Sequence, residues 1–199
     1  MNDGNDDPVA DALVDGSAYE RVRVRRISTF KRPIPRKLHH LGALSYLLAA
    51  AVLSLAVLPS AVVATLPVDP FVASTRTLVL GLVAQGIVAV AGAVLVATAL
   101  ARPRLEPMDE DTAESVLAVE ETASLVGFVV GGVSLVIAVG TVLVAHLGPG
   151  AVETLTLLTV NSPYGAAPLP FPFEPAWAGV ASWLAGLALH LAAVLLGGQ

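Results

Sequence analysis

The sequence predicts an all-α integral membrane protein with four transmembrane helices in a bundle and both termini in the cytoplasm. Four long stretches carry no charged residue across their cores, and each approaches the roughly 20 apolar helical residues that a bilayer requires. Backbone groups in lipid have to bond within their own segment, so helix is the expected form. The predicted spans cover residues 41–60, 77–101, 122–146 and 176–197.

The composition agrees with this fold class. Only 14% of the 199 residues are charged, 55% are hydrophobic, and the mean hydropathy is +0.77. Outside the four spans there remain an N-terminal segment and three connections, which are too short for a soluble catalytic domain. The sequence has no cysteine, which excludes disulfides and thiol nucleophiles. We therefore expect any chemistry to lie in or beside the bundle.

The distribution of lysine and arginine predicts the orientation. Ten of these residues lie before the first span or in the second connection, whereas Arg76 alone lies in an outer connection. Short loops rich in lysine and arginine face the cytoplasm. The N-terminus, the second connection and the C-terminus are therefore predicted to lie on the cytoplasmic side of the cell membrane.

Three segments of different composition make up the chain. Residues 1–20 are acidic and are predicted to be a disordered tail. Residues 21–40 form a basic juxtamembrane segment, and the alternation of apolar residues over 19–30 also allows a short strand. Residues 41–199 form the four-span domain. The favoured interpretation of the basic segment is a topogenic signal, and the alternative is binding to anionic lipid headgroups; the residues concerned are Arg21, Arg23, Arg25, Arg26, Lys31, Arg32, Arg36 and Lys37.

Small residues recur at helical spacing within the spans and predict close helix packing. In lipid, small side chains let two helix backbones approach each other. The second span has such residues at intervals of four, the third contains a GxxxG motif, and the fourth carries a similar row. The residues expected to pack are Ala89, Ala93, Ala97, Gly127, Gly131, Ser182 and Gly186.

The third helix is predicted to begin before its span. Asp111 precedes Glu114 by three residues, a spacing typical of a helix N-terminus, so the helix is expected to start near Thr112. A continuous helix to Ala145 would be about 50 Å long, and a bend near Gly131 is the alternative. The connection 147–175, rich in proline and aromatic residues, is read as an interfacial anchor rather than a binding loop, with a short interfacial helix over 151–160.

Two polar side chains inside the spans are the candidate functional residues. Gln85 is expected to form an interhelical hydrogen bond, and His190 is the ionisable residue well inside a span. A bond from His190 to a neighbouring helix is favoured over a functional role, and a contact with Glu120 is conceivable. Haem ligation is disfavoured because the histidines lie at different depths. No cofactor, metal site or nucleic-acid partner is predicted.

These observations favour a non-enzymatic multi-pass membrane protein that acts as an accessory, assembly or scaffold subunit. Its expected partners are the lipid bilayer and either another membrane protein or further copies of itself. The alternative is an oligomeric small channel or transporter with Gln85, Ser182 and His190 along its path. An intramembrane enzyme ranks last, because no nucleophile–base or metal set is visible.

Overall fold

The computed structural model describes residues 16–25, 32–70, 72–167 and 174–198. Across these ranges the fold is all-helical, as predicted, and the extended pairing is an isolated bridge between Thr75 and Ala166. The helices are α1 Ala18–Arg25, α2 Ile34–Ser54, α3 Ser60–Val63, α4 Arg76–Leu105, α5 Glu110–Ala145, α6 Pro149–Leu158 and α7 Pro175–Gly197.

Four of these helices are long and apolar enough to cross a membrane, which confirms that part of the prediction. They are α2 with its 3₁₀ continuation to Val57, α4, α5 and α7. Helix α2 begins seven residues before the predicted span, after Pro33 at its N-cap. Proline is accommodated at the start of a helix, where its missing N–H has no intrahelical acceptor. At the other end, Pro59 separates α2 from the single turn α3.

The bundle runs alternately up and down. Gly42 near the start of α2 lies against Gly186 near the end of α7, so these two helices are antiparallel. Gly92 of α4 lies against Leu189 of α7. Each residue lies in the second half of its helix, so the C-terminal halves of α4 and α7 lie at the same end of the bundle. The starts of α2 and α5 and the ends of α4 and α7 thus lie together, and we call this the α1 end of the bundle. The most extensive contacts are those of α2 with α7 and of α4 with α5.

Helix α1 replaces the short strand that the sequence allowed. Ala18, Tyr19 and Val22 are buried against Ala113 and Leu117 of α5. Their spacing follows the helical period, so one face of α1 is covered by α5. The predicted acidic tail lies outside the described residues up to position 15, and its last three residues belong to α1.

Helix α5 begins at Glu110, slightly earlier than predicted. The N-cap is Asp109, whose carboxylate accepts a hydrogen bond from the backbone N–H of Thr112 at 2.8 Å. The helix then runs 36 residues to Ala145, or roughly 54 Å at 1.5 Å per residue. A π-helical segment, Val126–Gly132, lies where the sequence suggested a bend, and the helix continues through it.

At the opposite end of the bundle, short elements pack on the ends of the long helices. Val62, Val152 and Tyr164 form a buried cluster with Ala145. The hydroxyl of Tyr164 donates to the backbone carbonyl of Thr141 in α5 at 2.8 Å. Helix α6 fits the short helix expected here, whereas the proline–aromatic stretch from 168 to 173 lies outside the described residues.

Candidate functional site

Charged side chains are buried together at the α1 end. The ammonium of Lys37 lies 2.6 Å from Oε1 of Glu120, and these side chains are only 2% and 4% exposed. The other carboxylate oxygen, Oε2, accepts a hydrogen bond from the hydroxyl of Tyr19. One carboxylate therefore joins α1, α2 and α5. The mutual bonding satisfies groups that would be costly to bury alone.

Arg102 adds a fourth helix to this cluster. Its guanidinium carbon lies 3.6 Å from the centroid of the Tyr19 ring, which is a cation–π geometry. Because Arg102 belongs to the last turn of α4, the phenol ring of Tyr19 is held between α4 and α5. Lys37, Glu120, Tyr19 and Arg102 are called the basal cluster below.

The basal cluster keeps the Tyr19 hydroxyl protonated. Burial raises the pKa of this phenol well above its usual value, and the bonded Glu120 carboxylate raises it further. The charges of Arg102 and Arg23 lower the pKa but do not outweigh burial. Tyr19 therefore remains a hydrogen-bond donor to Glu120 at any physiological pH.

The structure differs from the prediction of lipid headgroup contact at Lys37, and the other residues predicted to bind headgroups differ in exposure. Lys37 does not reach the headgroup position predicted for it, because its ammonium is buried on Glu120. Arg25, Arg32 and Arg36 are exposed, whereas Arg21 and Arg23 are partly buried. Arg21 and Arg25 lie 3.8 and 3.6 Å from the Glu110 carboxylate. Arg26 and Lys31 lie outside the described residues.

His190 does not contact Glu120, which pairs with Lys37 instead. The ring of His190 lies 3.8 Å from the ring of His39, centroid to centroid, and 6.1 Å from that of Tyr46. Its Nδ1 is buried and has no hydrogen-bond partner among the described residues. The adjacent Gly42 backbone leaves room for this imidazole between α2 and α7.

A second polar group lies in the middle of the bundle. The expected interhelical bond of Gln85 is present, since its Nε2 donates to Oγ of Ser45 at 2.9 Å. Ser45 in turn donates to the carbonyl of Leu41 at 3.1 Å. Oε1 of Gln85 and Oγ of Ser182 are buried without a hydrogen-bond partner among the described residues.

Helix register places the side chains of Ser45, Gln85 and Ser182 at one level of the bundle. Gly92 of α4 meets Leu189 of α7, and the residues seven positions earlier are Gln85 and Ser182. A step of seven returns to nearly the same helix face, so Gln85 and Ser182 share a level. We call Ser45, Gln85 and Ser182 the polar layer.

Several of the residues predicted to pack do so within this chain. A Cβ on Gly127 would lie 2.8 Å from Cβ of Ala91, and one on Gly131 would lie 2.8 Å from Cγ2 of Val88. A Cβ on Gly186 would lie 2.9 Å from the Tyr46 ring. Glycine at these positions therefore permits the close approach of α5 to α4 and of α7 to α2.

The row predicted on the second span requires a correction. Ala89 is partly buried, whereas Ala93 and Ala97 are exposed on α4. Residues four apart rotate about 40° with each step along an α-helix, so a row at constant spacing four leaves the buried face. The buried face of α4 instead alternates steps of three and four; its residues include Gly81, Ala84, Val88, Ala91, Leu95 and Thr98.

An apolar groove opens outward between α4 and α5. It encloses about 680 Å³ and is lined by valine, isoleucine and small residues, among them Gly86, Val90 and Ala118. A Cβ on Gly86 would have no neighbour within 4 Å. The spacing of small residues in the sequence did not indicate this groove, because it is formed jointly by α4 and α5.

Among the described residues, no group of three or more histidine, aspartate or glutamate side chains is arranged to hold a metal ion. Searches of protein-family models, curated proteins and solved structures find no match to this chain. The arrangement of its own residues is therefore the basis for assigning a function. That arrangement consists of the basal cluster, the polar layer and the apolar outer faces of four long helices.

Proposed function

We propose that this chain is a non-enzymatic multi-pass membrane protein that serves as an accessory or scaffold subunit of a membrane assembly. The observation that carries the proposal is the basal cluster, in which the buried pair Lys37–Glu120 and the neutral phenol of Tyr19 join three helices. The cation–π contact of Arg102 adds the fourth helix. Charged groups used in this way hold helices in a fixed arrangement and are not presented to a substrate. Four helices of sufficient length and apolarity support insertion into the bilayer.

The basal cluster also fixes α1 as a surface for a partner. Helix α1 and the first turns of α5 bury Tyr19 and Val22 between them, and their outer sides carry charged residues such as Arg25 and Glu110. A fixed charged surface beside the membrane is suited to positioning another subunit, because complementary charges determine partner and orientation.

The test is purification from native membranes in a mild detergent, followed by mass analysis of the proteins retained. A stoichiometric partner is expected with the unmodified chain, and Tyr19→Ala should release it by detaching α1. Trp177→Ala is the matched control, because this aromatic residue is 62% exposed at the opposite end. Robust flux of a substrate through liposomes that contain the purified protein alone would contradict the proposal.

The polar layer favours a second candidate, an oligomeric small channel or transporter. Two buried oxygen atoms, on Gln85 and Ser182, have no hydrogen-bond partner in the part of the chain that the structure describes. Such groups are what a polar path needs inside an apolar bundle. In reconstituted liposomes, Ser182→Ala and His190→Ala should then alter flux, while Ala93→Ser on the outer face should not. Unchanged flux in both variants would remove these residues from the path.

A further inference from the structure

The groove between α4 and α5 is open to the outside along the apolar part of both helices. It encloses about 680 Å³, and Gly86 forms part of its lining. A Cβ on Gly86 would have no neighbour within 4 Å, whereas Val90, one turn further along α4, is 66% exposed. The surface thus combines a recess with a projecting apolar side chain. We call the lining of this groove, with the residues that continue it along both helices, the α4–α5 face.

A charged residue on each helix continues the α4–α5 face towards the α1 end. Arg104 follows Gly86 by eighteen residues, which is five turns at about 3.6 residues per turn, so it lies on the same side of α4. Glu114 precedes Ala118 of the groove lining by four residues, about one turn of α5. Both charged side chains are exposed, and neither forms an ion pair among the described residues. Each charge is therefore available to a partner.

Arg104 and Glu114 lie at the same height along the bundle. Gly127 of α5 lies against Ala91 of α4, and Gly131 lies against Val88, so the two helices are antiparallel. Arg104 lies thirteen residues beyond Ala91, and Glu114 lies thirteen residues before Gly127. A rise of about 1.5 Å per residue places both charges about 20 Å from this contact, at the α1 end. The α4–α5 face thus carries a cation on one helix and an anion on the other at one level.

A second copy of the chain matches this arrangement of charges. Two copies that enter the bilayer with the same orientation are related by an axis along the membrane normal, and a two-fold axis forms every contact twice. With the axis in front of the groove, α4 of each copy faces α5 of the other. Arg104 of one copy then meets Glu114 of the other, and the same pair forms again on the other side of the axis. An acyl chain would fill the recess but would bring no cation to Glu114.

We propose that the α4–α5 face is the contact surface of a two-fold homodimer in the membrane. The recess at Gly86 permits the close approach of a helix from the second copy, and the two ion pairs select the partner and the register. The proposal rests on the proposed function in that both copies have to enter the bilayer. Helix α1 covers Ala113 and Leu117 on a different side of α5, so the homodimer leaves the charged surface beside α1 accessible to another subunit.

The test is an exchange of charges, followed by native mass spectrometry of the purified protein in detergent. The unmodified chain should be dimeric. Arg104→Glu and Glu114→Arg should each weaken the dimer about tenfold or more, because each single variant sets like charges against each other in both pairs. Arg36→Glu is the matched control, since Arg36 is exposed on α2 and lies outside the face.

An equimolar mixture of Arg104→Glu and Glu114→Arg should restore the dimer. The restored dimer should contain one copy of each variant, because this combination sets opposite charges together on both sides of the axis. An ion pair within a single chain cannot produce this result, since each variant carries charges of one sign at both positions. A mixture that stays as monomeric as the separate variants would overturn the proposal.

Gly86→Leu tests the recess without a change of charge. Leucine should fill the space that the second copy requires and weaken the dimer. Gly140→Leu is the matched control, because a Cβ there also has no neighbour within 4 Å and Gly140 does not line the groove. Equal dimerisation of these two variants would contradict the proposal. Flotation with liposomes separately measures insertion: a protein that does not insert counts against the proposed function, whereas an inserted wild type that remains monomeric or retains only lipid counts against the homodimer alone.

Discussion

Lys37 and Glu120, which are 83 residues apart in the chain, form a buried ion pair between α2 and α5. Each lies in the first half of its long helix, and both helices begin at the α1 end. The carboxylate also bonds Tyr19, so a single side chain connects α1 to two candidate spans. Disruption of this pair should therefore affect both the bundle and the attachment of α1.

Lys37→Met should destabilise the protein by about 3–5 kcal/mol, because the Glu120 carboxylate would be left buried without its cation. The measurement is the free energy of unfolding in mixed detergent micelles, followed by circular dichroism. Arg36→Gln is the matched control, since the neighbouring Arg36 is exposed, and it should change stability by less than about 0.5 kcal/mol.

The double variant Lys37→Met with Glu120→Leu tests whether the loss comes from an uncompensated charge. Replacement of a complete buried pair by apolar residues is often neutral or stabilising, so the double variant should recover most of the stability lost in Lys37→Met. A double variant as unstable as Lys37→Met alone would show that the pair itself supplies the stability, whereas effects that simply add would show that the two residues are not coupled.

Gly42→Ala should destabilise the contact between α2 and α7 by about 1–3 kcal/mol, the usual cost of overpacking. A Cβ on Gly42 would lie 3.1 Å from the backbone carbonyl oxygen of Gly186, and this backbone cannot move away without shifting α7. Gly86→Ala is the control, because its Cβ would meet nothing within 4 Å. Alanine favours helix over glycine by about 1 kcal/mol, so Gly86→Ala should be neutral or stabilising in thermal unfolding.

Tyr164 should make stability depend on pH in the alkaline range. Burial raises the pKa of its phenol from 10.0 to about 12. The folded protein then holds the phenolic proton more strongly than the unfolded chain does, so this contribution is complete below pH 10 and is lost as pH rises towards 12.

The comparison that isolates this effect is wild type against Tyr164→Phe. Thermal unfolding should show that wild type loses more stability than the variant between pH 10 and pH 12. Other groups that titrate in this range are common to both proteins. Below pH 10 the variant should be less stable by about 1 kcal/mol, since it lacks the bond to the Thr141 carbonyl. Parallel curves for the two proteins across the whole range would contradict the prediction.

The sequence predicted the four long helices because each depends on a local property, namely the length of an apolar run. It was less accurate where neighbouring helices decide the outcome. Helix α1 is helical because α5 covers Tyr19 and Val22, and residues 19–30 alone also allowed a strand. A contact between Glu120 and His190 is conceivable from the sequence, since both residues lie near the same end of the bundle. Only the arrangement of α2 beside α5 selects Lys37.

The candidate site could be predicted only in part, because the sequence shows local properties of a residue but not which helices are neighbours. Gln85 is identified by its polarity within an apolar span, and its interhelical bond follows from the cost of burying an amide in lipid. Ser45 could not be named as its partner before the helix neighbours were known. The prediction that Ala93 and Ala97 pack against another helix of this chain was wrong. A constant spacing of four rotates about 40° per step, so the row leaves the buried face of α4 before it reaches these residues.

The π-helical segment of α5 acts as a one-residue offset in an otherwise regular repeat. Buried residues step by seven from Ala113 to Glu120 to Gly127, by eight to Leu135 across the segment, and by seven again to Val142. A π-bulge accommodates one extra residue without turning the helix on either side away from its neighbours. Removal of Val129 should therefore be absorbed, whereas removal of a residue between Glu120 and the segment would turn Glu120 about 100° away from Lys37. The segment is thus the part of α5 where chain length can change while the basal cluster is preserved.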